Sequence, residues 1–247
     1  MNPAARVLLL GGTGEARALA AVLTGEQIPV ISSLAGRVRN PRLPVGEVRV
    51  GGFGGVDGLA DWLRDNEIRA VVDATHPFAA QITANAHAAC TRTGVPLLRL
   101  ARPAWQPGPD DRWFSVPDIG AAATAVAERG GRVFLTTGRQ DAGAFAGISD
   151  AWFLIRVVDP PAGPLPPHRG ILSSRGPYDL DGERALLAEH RIDVLVTKNS
   201  GGELTRAKLA AAADAGIDVV MVQRPPEPDD LARVDSVAAA ADWVRGA

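Results

Sequence analysis

Short apolar runs rich in Val, Leu and Ile alternate along the chain with longer, Ala-rich stretches. This rhythm is typical of parallel α/β units, in which each strand is followed by a helix. Some runs, such as Val7–Leu10 and Ala70–Val72, are continuously apolar, which predicts strands that helices cover on both faces. We therefore predict an α/β fold of three-layer α/β/α domains with mainly parallel sheets.

The pattern also gives the order of the elements. Its first half predicts strands at Arg6–Leu10, Pro29–Ser32, Glu47–Val50, Ala70–Asp73 and Leu97–Leu100, and helices at Glu15–Leu23, Val56–Asp65 and Phe78–Thr91. Its second half predicts strands at Arg132–Thr136, Trp152–Val158, Val194–Thr197 and Asp218–Val222, and helices at Ile119–Arg129, Gly182–Glu189, Leu204–Ala215 and Val237–Arg245.

Between the two halves the rhythm lapses in the segment ARPAWQPGPDDRW, whose prolines, glycine and charges argue against a regular element. We therefore predict a first domain over 1–101, a linker over 102–115 and a second domain over 116–247. A chain of 247 residues is long enough for one to two domains with substantial cores.

Composition narrows the classes of partner. The chain has 26 basic and 28 acidic side chains and a net charge of −2, without the basic surplus that binding of nucleic acid requires. A single cysteine, Cys90, cannot form an internal disulfide, and no Cys/His spacing is typical of a zinc site. No apolar run approaches the roughly 20 residues of a membrane helix, and the start does not read as a signal peptide. We expect a cytoplasmic protein with no metal site and no membrane partner.

Open parallel sheets bind ligands beyond the carboxyl ends of their strands. After the first predicted strand come Gly11, Gly12, Thr13 and Gly14, which predict a tight turn that approaches a phosphate, with the Thr13 hydroxyl as a donor. The spacing is not a strict dinucleotide fingerprint, and no Lys-Ser/Thr pair follows as in a P-loop. An ordinary strand-to-helix turn is the alternative interpretation.

About 20 residues further on, a sequence built for NAD usually has an acidic residue that binds the ribose 2′-hydroxyl. Here the segment 31–37 contains Ser33 and Arg37 but no carboxylate. Hydroxyl and guanidinium groups suit the 2′-phosphate of NADP(H). Arg17, in the predicted helix that follows the glycine turn, is a further candidate for the same anion. The alternative is that Arg37 lies in a solvated loop.

The fourth predicted strand leads into Thr75-His76-Pro77-Phe78, where a bound dinucleotide would have its reactive end. His76 titrates near neutrality and is a candidate proton donor. The alternative is a structural histidine that caps the next helix, whose start the proline favours.

In the second half, Arg139, Arg175 and Lys198 each follow an apolar strand and lie beside Gly, Ser or Asn, with Ser174 next to Arg175. Cations at one sheet edge can bind a ligand that has several carboxylates. Isolated surface charges are the alternative interpretation.

Four motifs in order, GGTGEAR, DATHPFA, SRGPY and VTKNSGG, give the chain a resemblance to the precorrin-6A reductase family over essentially its full length. The resemblance implies two Rossmann-like domains, with NADPH and an anionic tetrapyrrole, precorrin-6A, meeting in an interdomain cleft. It further implies hydride transfer from NADPH to one double bond of the macrocycle, which gives precorrin-6B.

The resemblance also assigns residues to each ligand. Cofactor contacts are implied for Gly11, Gly12, Thr13, Glu15 and Arg17, with Thr75, His76 and Pro77 near the nicotinamide. Contacts with the substrate's acetate and propionate groups are implied for Arg175, Lys198, Asn199 and Ser200. His76 and Lys198 are the candidate catalytic residues.

One other enzyme class is excluded and two alternatives remain open. Short-chain dehydrogenases use a Tyr and a Lys four residues further on, but the only tyrosine here, Tyr178, is followed at that spacing by Gly182. A cobalt-precorrin-6A reductase and a cofactor-free, two-domain tetrapyrrole-binding protein are the alternatives. A monomer or a weak homo-oligomer is expected.

Overall fold

A computed structural model describes residues 6–36 and 42–247. Its strands, in chain order, are β1 (Arg6–Leu10), β2 (Val30–Leu34), β3 (Glu47–Val50), β4 (Ile68–Asp73), β5 (Leu97–Leu100), β6 (Trp113–Val116), β7 (Gly131–Leu135), β8 (Ala151–Val157), β9 (Arg169–Ser173), β10 (Val194–Lys198), β11 (Asp218–Val222) and β12 (Arg233–Val234). Its α-helices are α1 (Gly14–Gly25), α2 (Gly55–Asp65), α3 (Ala80–Thr93), α4 (Ile119–Arg129), α5 (Leu180–Glu189), α6 (Ala207–Asp214) and α7 (Val237–Gly246), and a 3₁₀ turn spans Ala142–Phe145.

The strands form two sheets with six strands each within the described residues. One has the order β12-β5-β4-β1-β2-β3 and the other the order β6-β11-β10-β7-β8-β9, and the paired neighbours are parallel throughout. The predicted α/β fold is thus confirmed. Because every strand is parallel, all the carboxyl ends of a sheet lie along one edge.

Helices cover both faces of the first sheet. Leu9 of β1 packs with Leu19 of α1 and Val244 of α7 in one buried cluster. Leu8 and Leu10, which point to the opposite face, pack in a second cluster that also holds Leu59 and Leu63 of α2 and residues of α3. Two covered faces explain why this strand is apolar without alternation.

In the second sheet, Phe134 of β7 and Met221 of β11 share a buried cluster with Leu187 of α5 and Leu209 of α6. Trp105 belongs to the same cluster. In the part of the chain that the structure describes, no helix is both long and apolar enough to span a bilayer.

The chain divides into two compact units at other points than the predicted ones. Unit 1 takes in the described residues up to Pro103 together with 226–247, and unit 2 is 104–225. The predicted linker 102–115 is not a separate connection, because β6 pairs with β11 as an edge strand and Trp105 is buried. The last segment of the predicted second domain, 226–247, belongs to unit 1 instead, because β12 pairs with β5 and α7 packs on α1.

A buried charge network holds the returning segment in unit 1. The Arg99 side chain is fully buried, and its Nε donates to a Glu227 carboxylate oxygen at 2.8 Å. Its Nη1 lies 3.1 Å from the Asp73 carboxylate and donates to the carbonyl oxygens of Asp73 and Thr75. Buried ions need such partners because they have lost their hydration. Arg99 therefore joins the end of β4 to the segment that begins at 226.

We predict that Arg99→Met lowers the free energy of unfolding by about 3 to 5 kcal/mol, because it leaves the Asp73 carboxylate buried without its cation. Urea unfolding followed by circular dichroism measures the change. Arg64→Met is the control, since Arg64 is exposed and pairs only with Asp61 among the described residues; its cost should stay below about 0.5 kcal/mol. A loss of less than about 1 kcal/mol in the Arg99 variant would show that the network is dispensable.

Candidate functional site

The loop between β1 and α1 is a glycine turn at the carboxyl edge of the first sheet. The Gly11 amide donates to the Ser33 carbonyl oxygen at 2.9 Å, so the turn adjoins the end of β2. Gly12 has a φ of 114°, which disfavours any side chain, and a Cβ built there meets nothing within 4 Å. The turn thus leaves the backbone open at Gly12.

The Thr13 hydroxyl makes its hydrogen bonds with backbone groups of the protein. Its Oγ1 accepts a hydrogen bond from the Ala16 amide at 3.1 Å, which caps α1, and donates to the Ala74 carbonyl oxygen at 2.6 Å. One hydroxyl proton cannot serve two acceptors. The predicted use of this hydroxyl as a donor to phosphate therefore conflicts with its bond to the loop after β4.

A small pocket lies beside the glycine turn. Arg17 and Arg42 line it, and the buried Ser32 Oγ, also on its wall, has no hydrogen-bond partner in the described part of the chain. Buried hydroxyls are normally paired, so this atom points to a ligand. The two arginines on its walls are suited to an anionic group bound at this edge of the sheet. Arg37, predicted to bind the 2′-phosphate, lies outside the described residues.

The structure shows a cation at this edge that the sequence reasoning missed. Arg49 of β3 donates through Nη1 to Ser33 Oγ at 2.8 Å and to the Gly51 carbonyl oxygen at 3.1 Å. Its guanidinium carbon lies 3.7 Å from the centroid of the Phe53 ring. Burial lowers the pKa of the Arg49 guanidinium below its usual value. The alternating polar position in the short strand EVRV was the available signal.

Glu15 is engaged by another residue of unit 1. Arg102 Nη1 lies 2.9 and 3.1 Å from the two Glu15 carboxylate oxygens, and both side chains are mostly buried. The pair ties the first turn of α1 to the segment after β5. Glu15 therefore has a structural partner in addition to the cofactor contact that the family resemblance implies.

The loop after β4 is organised by a buried carboxylate. Asp73 Oδ1 accepts from both the amide and the hydroxyl of Thr75, at 3.0 and 2.6 Å, and Oδ2 accepts from the Thr83 hydroxyl at 2.6 Å. Pro77, which follows, is buried. The Thr75 hydroxyl is thereby committed to the protein, although it lies where the resemblance implies the nicotinamide.

His76 is half-buried, and its Nδ1 accepts the Phe78 amide at 3.3 Å. The bond lies before α3, whose N-cap Ala79 receives no side-chain hydrogen bond, so His76 holds the preceding turn and does not cap the helix. It also assigns the tautomer, since an accepting Nδ1 places the proton of a neutral ring on Nε2. A ring oriented in this way can donate from Nε2.

In unit 2, the cations follow three strands of one parallel sheet. Lys198 ends β10, Arg139 follows β7 and Arg175 follows β9, so all three belong to the carboxyl edge. Lys198 Nζ forms an ion pair with Asp141 at 2.5 Å, and Arg139 lies 4.0 Å from Asp159. Arg175 is exposed.

Ser174 and Thr137 add polar groups to the same edge. The Ser174 amide donates to the Val157 carbonyl oxygen at 2.9 Å, which holds the start of the loop that carries Arg175. The buried Thr137 Oγ1 has no hydrogen-bond partner within the described residues. An unpaired hydroxyl beside a cationic edge is compatible with a polar ligand.

Asn199 has a structural role that the sequence did not reveal. Its Oδ1 accepts from the Trp105 amide at 2.8 Å and its Nδ2 donates to the Trp105 carbonyl oxygen at 3.1 Å. Arg224, which sequence reasoning missed although it follows β11, donates to the carbonyl oxygens of Asn199 and Ser200 at 2.9 and 3.1 Å. Arg224 thus fixes the loop after Lys198, and the Asn199 side chain is used by the protein.

Comparison with known proteins agrees with this arrangement. Residues 6–245 match the family described as "Precorrin-6x reductase CbiJ/CobK". The chain is 56% identical over 240 residues to the precorrin-6A reductase of Rhodococcus erythropolis, covering 97% of each chain. It is 60% identical over 243 residues to that of Mycobacterium tuberculosis (strain ATCC 25618 / H37Rv), covering 98% of each. A solved structure titled "CobK precorrin-6A reductase" superposes with a TM-score of 0.92 at 41% identity, covering 98% of this chain and 96% of that one.

We predict that Thr13→Val is less stable than Thr13→Ser by about 1 to 3 kcal/mol, because only the serine keeps the cap of α1 and the bond to the Ala74 carbonyl oxygen. Chemical denaturation of the two variants measures the difference. Equal stabilities would mean that the hydroxyl makes no net contribution to the fold.

Proposed function

The chain belongs to the precorrin-6x reductase family of cobalamin biosynthesis, and we propose that it reduces precorrin-6A to precorrin-6B with NADPH as the hydride donor. The match over 6–245 carries the assignment as a precorrin reductase. When bound, NADPH supplies a hydride to one carbon of a macrocyclic double bond, and a proton completes the neighbouring carbon. The remaining work of the protein is to bind and orient the two partners.

The glycine turn supports a nucleotide in unit 1. Gly12 brings open backbone to the carboxyl edge of the sheet. The pocket beside the turn has Arg17, Arg42 and Ser32 on its walls, and the Ser32 hydroxyl has no partner within the described residues. Guanidinium groups are suited to phosphate. We assign the diphosphate of the cofactor to this turn, in the place where Rossmann folds bind it.

The 2′-phosphate is favoured over a 2′-hydroxyl by the residues around the end of β2. The described residues 30–36 contain no carboxylate, whereas NAD-binding chains usually have one there. Cations near this strand, Arg17 and Arg42, line the adjacent pocket, and a guanidinium group attracts a 2′-phosphate more strongly than a 2′-hydroxyl. NADPH is therefore the proposed donor.

The substrate side of the proposal rests on unit 2. The carboxyl edge of its sheet carries Lys198, Arg139 and Arg175, and a tetrapyrrole with acetate and propionate arms is a polyanion that such groups can orient. Ser174 and Ser200 are proposed as hydroxyl contacts. Asn199 is proposed to act indirectly, by holding Trp105 and thus the segment that enters unit 2.

Two residues remain candidates for the proton. His76 can donate from Nε2, because its Nδ1 accepts the Phe78 amide. Lys198 can donate from Nζ, and its ion pair with Asp141 fixes the ammonium group at the strand end. We propose that Lys198 also binds a substrate carboxylate. Because the Lys198 side chain is mostly buried beside Asp141, solvent screens the attraction between its ammonium group and the carboxylate less.

We predict that NADPH loses its absorbance at about 340 nm when the protein and precorrin-6A are added together, and that NADH is oxidised at least about 10-fold more slowly. Product mass and absorbance identify precorrin-6B. Oxidation with cobalt-precorrin-6A alone would support the cobalt-dependent alternative. Binding of the tetrapyrrole with no oxidation of either nucleotide would instead indicate a cofactor-free binding protein.

We predict that Lys198→Ala raises the Kd for precorrin-6A about 10-fold, the equivalent of one charge-assisted hydrogen bond, and leaves the Kd for NADPH unchanged. Fluorescence titration with each ligand measures both constants. Arg184→Ala is the control, because Arg184 is an exposed residue of α5 that pairs with Asp181 and Asp214. Loss of NADPH affinity in the Lys198 variant would overturn the proposed division of roles between the units.

A further inference from the structure

Arg49 lies next to the glycine turn although it belongs to a different strand. Leu10 of β1 is in register with Ser33 of β2, and Ser33 is in register with Arg49 of β3. Residues in register on neighbouring strands point to the same face of the sheet. The guanidinium reaches back to Ser33 Oγ, and the Ser33 carbonyl oxygen accepts the Gly11 amide. The charge therefore lies over the end of β2, one strand away from the turn.

The guanidinium is held in one orientation. Nη1 donates to Ser33 Oγ and the Gly51 carbonyl oxygen, and Nη2 donates to the Gly52 carbonyl oxygen at 3.0 Å. The guanidinium carbon lies over the Phe53 ring, and that ring meets Trp62 edge-on with 5.4 Å between the ring centroids. A cation fixed in this way loses little side-chain entropy when it binds an anion.

The charge on Arg49 is not neutralised within the described residues. The half-buried Arg102 pairs with Glu15, and the buried Arg99 and Arg156 pair with carboxylates as well. The acceptors of Arg49 are a hydroxyl and two carbonyl oxygens, all uncharged. Burial alone lowers the pKa of Arg49, with no carboxylate to raise it again. A partly buried cation without a counterion is suited to an anionic ligand.

Ser33 contributes a second donor at the same point. Because its Oγ accepts from Arg49, its own hydroxyl proton is directed away from the guanidinium. A hydroxyl and a guanidinium that converge beside the end of β2 match a phosphate group on the ribose. In chains that bind NAD, a carboxylate at this position accepts the ribose 2′-hydroxyl.

We propose that Arg49, positioned by Ser33 and stacked on Phe53, binds the 2′-phosphate of the cofactor and sets the preference for NADPH over NADH. This inference rests on the proposed function, because it names the group that selects the proposed cofactor. Arg17 and Arg42 line the pocket on the α1 side of β2 and are the competing cations.

The test compares two nucleotides that differ only in the 2′-phosphate. Calorimetry with adenosine 2′,5′-bisphosphate and with 5′-AMP gives the 2′-phosphate preference of the wild type and of Arg49→Gln. We expect the variant to bind the bisphosphate about 10- to 100-fold more weakly and 5′-AMP within about 2-fold of the wild type. Arg64→Gln, which removes an exposed cation from α2, should change neither constant.

A second variant covers the case in which Arg49→Gln does not fold, which thermal melting detects. Ser33→Asp keeps an acceptor for Arg49 and its packing on Phe53, but supplies a carboxylate that neutralises the guanidinium. We expect it to lose the 2′-phosphate preference and to retain binding of 5′-AMP. A preference that persists in Ser33→Asp or in folded Arg49→Gln overturns the inference and assigns the phosphate to other cations.

The failure of the proposed function would look different. A wild-type protein that binds the two nucleotides equally, or neither of them, contradicts the use of NADPH itself. A wild-type preference that survives removal of the Arg49 charge contradicts only the role of this residue.

Discussion

A fully buried guanidinium holds unit 1 together. The Arg99 side chain is fully buried, and the carboxylates of Asp73 and Glu227 balance its charge. These partners come from the end of β4 and from the segment that returns to unit 1 after unit 2 is complete. The same Asp73 carboxylate holds Thr75 and Thr83, so the charge pair also shapes the loop that presents His76. The position of this loop and the attachment of the returning segment to the first sheet therefore both depend on the ion pairs of Arg99.

The sequence predicted the central strands and most helices because their apolar runs are long and covered on both faces. It missed β6, β9 and β12, which are edge strands with polar or short sequences. It also placed residues 226–247 with the second domain, whereas β12 extends the first sheet. The contact that decides this, between Arg99 and Glu227, joins residues 128 positions apart, and no local pattern records it.

At the site, the sequence predicted which strand ends carry chemistry but not how each side chain is used. Thr13 and Asn199 have buried partners 61 and 94 positions away, Ala74 and Trp105, which the motifs do not reveal. Arg49 was missed because its strand is short and its significance comes from Ser33 on the neighbouring strand. Glycine turns and strand ends are local features of a sequence, whereas hydrogen-bond partners across strands are features of the fold.

The discontinuity of unit 1 has a consequence for biogenesis. Unit 2 is one continuous segment, 104–225, whereas the residues that complete unit 1, 226–247, follow it in the chain. Until residues 226–247 dock, the β5 edge of the first sheet is uncovered and Arg99 lacks the Glu227 carboxylate. Unit 1 can therefore complete its fold only after the whole of unit 2 has been synthesised.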